Sequence, residues 1–85
     1  MITGMQIRMG RQALRWSVSY LSDRSGISTS TIKRIEILDG LPNSTKANIL
    51  AIKSALEAAG IEFTGTPEDL PGVRMNLAKK NAATS

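Results

Sequence analysis

The sequence predicts a small, mainly α domain of four helices closed by a short carboxy-terminal β-hairpin. Three observations carry that prediction. Between residues 4 and 59, apolar side chains recur at helical spacing in runs separated by Ser, Thr and Gly where helices start and stop. After Gly60 the period changes to two, over Ile61-Glu62-Phe63-Thr64 and again over Gly72-Val73-Arg74-Met75. The 85 residues suit a single domain. A chain of this size buries only about 60% of its unfolded surface, so a partner subunit would reinforce a marginal core.

The first helix is expected to begin at about Gly4. Thr3 and Gln6 have capping-box spacing, with Ile2 and Ile7 at the hydrophobic-staple positions around them. Ile7, Gly10 and Leu14 share one face, and Gly10 admits close approach by a neighbouring helix. Trp16 is expected to end this helix and to plug the space before the next. Ser17 caps a second helix that turns Val18 and Leu21 inward, places the small Ser22 at a helix crossing and leaves Ser19, Tyr20 and Arg24 at the surface. Gly26 supplies left-handed backbone to end it, Ile27 points back inward, and Ser28 caps a third helix. Ile32 and Ile35 bury that helix, leaving Ser28, Thr29, Ser30, Lys33 and Arg34 on its outer face.

A fourth helix, capped by Ser44 or Thr45, runs to Ala59 on the apolar stripe Ile49, Ile52, Leu56 and Ala59, with Gly60 as its stop. Two short strands follow, joined by a turn-rich stretch from Gly65 to Gly72. An isolated hairpin is marginal in water, so Ile61, Phe63, Val73 and Met75 need cover. Residues 1–60 therefore form the helical unit and 61–75 the hairpin, while residues 76–85, small and polar with Lys79 and Lys80, are expected to be a disordered tail.

Composition narrows the chemistry. With no cysteine and no histidine, disulfides and the usual zinc ligands are excluded, and acid–base catalysis lacks a group titrating near neutrality. Glu68 and Asp69 are adjacent turn acids, and no glycine-rich phosphate cradle or convergent pair of carboxylates accompanies them. No catalytic residue, metal, cofactor or small-molecule ligand is expected, and the chain is not expected to be an enzyme. No signal peptide and no apolar run near the roughly 20 residues of a membrane span is present, so a cytoplasmic location is expected. Net charge is +4 and unevenly placed: residues 1–56 hold eight Lys/Arg against three acids, a balance of +5, whereas residues 57–85 stand at −1. A basic front two-thirds suits neutralisation of nucleic-acid phosphates.

Three segments carry a resemblance: W-S-x-x-x-L-S at 16–22, G-I-S-x-S-T-I-x-x-I-E at 26–36, and A-N-I-L-A-I-K-S-A-L-E-A-A-G-I-E-F at 47–63. In this order and spacing they resemble the lambda-repressor-like, xenobiotic-response-element class of helix-turn-helix regulators, whose small bacterial members often end in a G-V-R-hydrophobic strand such as Gly72-Val73-Arg74-Met75. The resemblance implies a four-helix lambda-repressor-like helix-turn-helix domain whose third helix lies in the DNA major groove. Carried over position by position, Thr29, Ser30 and Arg34 match base readers, flanked by Ser28 and Lys33. Ser17 and Thr31 match common phosphate contacts, and Lys46 joins them in that role. The guanidinium of Arg34 suits bidentate recognition of guanine. The family also pairs a first-helix arginine with the glutamate near the end of the third helix, here Arg11 with Glu36.

Two positions depart from the family. Val18 stands where a backbone-bracing glutamine is usual, and the loop from Asp39 to Ser44 is about two residues longer and lacks the usual basic residues. Thin phosphate clamping makes binding depend on two subunits engaging two half-sites. In small members such a tail commonly forms the dimer contact, which here implies Ile61, Phe63, Leu70, Val73 and Met75. The expected protein is a homodimeric transcription regulator, a repressor by occlusion of the promoter, on an inverted-repeat operator in double-stranded DNA. Chains of this size resemble autoregulators of mobile genetic elements. The alternatives are an antitoxin whose tail binds a toxin, or a protein-binding module that reuses the fold.

Overall fold

The computed structural model describes residues 1–79. Among them are the helices α1 (Gly4–Ala13), α2 (Val18–Ser25), α3 (Thr29–Glu36) and α4 (Lys46–Ala58), followed by the strands β1 (Ile61–Thr66) and β2 (Asp69–Met75) of one antiparallel hairpin and a helical turn at 77–79. No helix among the described residues is long and apolar enough to cross a membrane.

Each helix starts on a hydroxyl side chain in extended backbone that accepts from the amide three residues on. Thr3 accepts from Gln6, Ser17 from Tyr20, Ser28 from Thr31 and Thr45 from Asn48. These caps satisfy amides that helix geometry leaves without partners, each worth about 1 kcal/mol. Ser44, the other candidate cap of α4, instead receives the Asn48 side-chain amide at 3.2 Å.

The core gathers Ile2, Ile7, Leu14, Leu21, Ile32, Ile35, Ile49, Ile52, Leu56, Ala59 and Ile61, with Val18, Ile27, Phe63, Val73 and Met75 packed against it. Full burial of one such aliphatic side chain is worth about 1.5–3 kcal/mol. Two glycines of α1 permit the packing. A Cβ on Gly4 would run into the carbonyl oxygens of Ile35 and Leu38, so the end of α3 rests directly on the backbone of α1. A Cβ on Gly10 would stand 3.2 Å from Ile61 Cγ2 and 3.5 Å from Leu56 Cδ1, so the close neighbours there are β1 and α4 together.

Trp16 does not end α1. The helix stops at Ala13, and Arg15 turns left-handed at φ 60°. The amides of Arg15 and Trp16 then donate back to Gln12 O and Arg11 O, both at 3.0 Å. That pairing is the Schellman closure, made with arginine where glycine is usual. It releases Trp16 from the helix, and its partly buried ring meets Tyr20 edge-to-face at 4.8 Å, with the Arg24 guanidinium 6.0 Å from its centroid. The indole is partly buried and packs against the core from the segment between α1 and α2.

The hairpin also differs from expectation. Pairing continues past Thr64↔Gly72 to Thr66↔Asp69, so the turn is only Pro67-Glu68, and Leu70 and Pro71 stand opposite the single Gly65 as a bulge. Proline is tolerated at a bulge because it has no amide to give the ladder. The inward residues Ile61, Phe63, Val73 and Met75 face the chain's own core, whereas Glu62 and Arg74 pair on the outer face at 2.8 Å.

Gln6 fastens this arrangement. Its Oε1 accepts from Thr3 N at 2.9 Å, completing the capping box, and its Nε2 donates to Thr64 O and Gly72 O, both at 2.9 Å. Beyond the hairpin, Asn76 N donates to Gly60 O, and Asn76 Oδ1 accepts from Lys79 N as residues 77–79 turn helical. The expected disorder does not begin at Asn76, and the rest of that segment, residues 80–85, lies outside the described residues.

Gln6→Ala removes one cap partner and leaves the two strand carbonyls short of a donor. Thermal and urea unfolding should show a loss of about 2–4 kcal/mol.

Candidate nucleic-acid interface

The α2–α3 pair presents two capped helix starts and one polar helix face. Gly26 closes α2 at φ 77°, its amide donating to Ser22 O at 2.8 Å, and the extended Ser28 opens α3 two residues later. Ile32 and Ile35 are fully buried on one side of α3. Ser30, Lys33 and Arg34 are exposed on the other, at i, i+3 and i+4 along a single face.

At the head of α3 the hydroxyls of Ser28, Ser30 and Thr31 form a small cluster. Ser28 Oγ donates to Thr31 Oγ1 at 2.9 Å and lies 3.4 Å from Ser30 Oγ. Thr29 and Thr31 are half-buried, and Ser17 is exposed at the start of α2. Val18, partly buried, packs against the core.

Lys46, exposed at the start of α4, lines a groove with Met1, Ile2, Ile49, Leu50 and Lys53. No hydrogen bond among the described residues draws it into the α3 cluster. Of the five residues expected at a subunit contact, Ile61 is only 1% exposed inside its own protomer and is unavailable for one. Gly10 admits it to the core, a placement that alternation alone does not reveal. Phe63, Val73 and Met75 are half-buried against the same core, while Leu70 is 84% exposed.

What holds the polar face in place is ionic. Arg11 Nε and Nη2 each donate at 2.8 Å to a different oxygen of Glu36, and Arg11 Nη1 donates to Trp16 O at 2.9 Å. The two side chains are 14% and 8% exposed. Hydrogen bonding to Glu36 and its negative charge raise the Arg11 pKa above arginine's ordinary value, against burial that lowers it. Arg8 adds a grip that the sequence did not reveal, donating to Glu36 O at 2.7 Å and to Asp39 Oδ1 at 3.1 Å. Its signal lay in the spacing: Arg8 and Arg11 are three apart and share a face of α1.

Charge bookkeeping changes accordingly. Arg8 and Arg11 serve the fold and the half-buried Lys53 pairs with Glu57 at 4.0 Å, so the exposed basic residues of the front two-thirds are Arg15, Arg24, Lys33, Arg34 and Lys46. Among the described residues no cluster of acids suits a metal ion. No family model matches the chain, and neither a curated protein nor a solved structure matches it.

Glu36→Ala leaves the Arg11 guanidinium uncompensated in a largely closed site, and chemical unfolding should show a loss of about 3–5 kcal/mol. Because the Arg11 pKa is raised on folding, the pair's contribution is complete below arginine's unfolded value and fades only as pH rises through the higher folded one. Melting temperatures between roughly pH 7 and pH 10 should therefore show no loss from this pair.

Proposed function

We propose that the chain is a sequence-specific DNA-binding transcription regulator of the lambda-repressor-like helix-turn-helix class, working as a homodimer on an inverted-repeat operator. The observation that carries this reading is the α3 face: Ser30, Lys33 and Arg34 stand exposed together on a helix whose opposite side is wholly buried. Such a helix can enter a major groove without disturbing its own packing, and its basic and hydroxyl groups match the hydrogen-bonding edges of bases and phosphates. The Arg11–Glu36 pair supports the same reading by fixing α3 against α1. In this reading Arg34 takes a guanine edge, Ser30 and Thr29 make shorter-range base contacts, and Ser17 and Thr31 approach phosphates.

Selection of genomic fragments by the purified protein, followed by titration of the winning site at two salt concentrations, tests the reading. A palindromic site bound by two subunits, with affinity falling steeply as salt rises, is expected. Enrichment of nothing above background removes DNA recognition and leaves a module that binds another protein. Arg34→Ala should weaken operator binding by about 1–3 kcal/mol and relax preference at one base position, measured by competition with single-base variants of the site.

A further inference from the structure

We propose that two copies of this chain associate by exchanging hairpin tips, the acidic tip of each seating Leu70 in the lysine-flanked groove of the other. The inference rests on the homodimer of the proposed function and supplies its contact.

The tip has features that its own protomer does not use. Leu70 is 84% exposed, and it is held at φ 52°, a left-handed conformation that disfavours residues with side chains. Gly65, at φ 71°, sits so close to the Leu70 carbonyl that a Cβ there would collide with it. With Pro67 and Pro71 on either side of Leu70, the tip is ordered in advance. It presents one leucine beside two exposed acids, Glu68 and Asp69, and Pro67 to Pro71 contain no base.

The groove is complementary. It is an open depression of about 250 Å³ lined by Met1, Ile2, Lys46, Ile49, Leu50 and Lys53. Its walls combine apolar surface with Lys46 and with Lys53, which also stands 4.0 Å from Glu57, and so match a leucine beside two carboxylates in both shape class and charge.

Placement allows the exchange to be mutual. Ile61 lies by Gly10, while Thr64 and Gly72 lie by Gln6, so the hairpin runs back along α1 and its tip projects towards the amino-terminal end of that helix. Met1 and Ile2, at that same end, line the groove. Tip and groove therefore share one end of the protomer, and two copies meeting end to end satisfy both contacts about a two-fold axis. Ser30, Lys33 and Arg34 belong to neither surface.

Sedimentation velocity of the DNA-free chain over roughly 1 to 100 µM tests the exchange. The unaltered chain is expected to dimerise. A basic-tip variant, E68K with D69K, and an acidic-groove variant, K46E with K53E, should each raise the dimer dissociation constant at least tenfold when alone. Mixed in equal amounts they should recover a dimer, because each tip again meets opposite charge. Leu70→Ser should loosen the dimer about tenfold with its helical circular dichroism unchanged, which covers the case of a charge variant that fails to fold. A chain that is monomeric throughout, variants that dimerise like the parent, or folded variants that stay monomeric on mixing would each overturn the proposal. A monomeric chain that still selects a DNA site overturns the exchange and leaves DNA recognition standing; a tip-dependent dimer that selects none does the reverse.

Discussion

The bidentate contact between Arg11 and Glu36 is the constraint on which the arrangement of the helices depends. It joins the last turn of α1 to the last turn of α3 through two parallel charge-assisted hydrogen bonds, and the remaining guanidinium nitrogen reaches the carbonyl of Trp16 at the entrance to α2. One side chain thus references three segments to each other. Burying two charges is not in itself a route to stability, since their desolvation offsets much of their attraction. What the pair supplies is direction: a planar fork meets a planar carboxylate in few orientations, which fixes how α3 lies on α1.

Around that contact α1 serves as the frame of the domain. Its amino-terminal backbone supports the end of α3 at Gly4, whose amide also donates to Gly40 O at 2.9 Å and so fastens the long loop before α4. Gln6 carries the hairpin, and Gly10 receives Ile61 and Leu56. Every element except α2 is tied to α1 by one of these named contacts. The α3 face is therefore set out by residues that never touch it, and its Ser, Lys and Arg side chains take no part in holding the helix down.

The helix starts were legible because a cap is a local event. Thr3, Ser17, Ser28 and Thr45 each bond an amide three residues away, so spacing placed the first three and narrowed the fourth to Ser44 or Thr45. Gly26 and the buried stripe of α4 were legible for the same reason. The fate of Trp16 was not, because it depends on a left-handed arginine, and sequence alone favours glycine at such a position. The hairpin register was obscured by two prolines and two glycines between Gly65 and Gly72, which suggest a loop until the bulge opposite Gly65 is seen. The partners of Arg8, the inward burial of Ile61 and the groove beside Met1 all depend on segments distant in sequence, which no local pattern encodes. At the candidate interface, the residue types and their shared helical face could be read directly; the groove that Lys46 lines with Met1 and Ile2 could not.

The reach of Gln6 has a consequence for the order in which the molecule is assembled. Its amide nitrogen waits for carbonyls 58 and 66 residues further along the chain. Closing so long a loop is entropically slow compared with forming the capped helices, whose bonds span three or four residues. On the ribosome, the helices can form as they emerge, yet the pocket around Gly10 stays open until Ile61 arrives, and the Gln6 side chain remains half-engaged until Gly72 has cleared the exit tunnel. The hairpin is thus the last of the described elements to find its place, and until it does the apolar flank of α1 beside Gly10 stays uncovered.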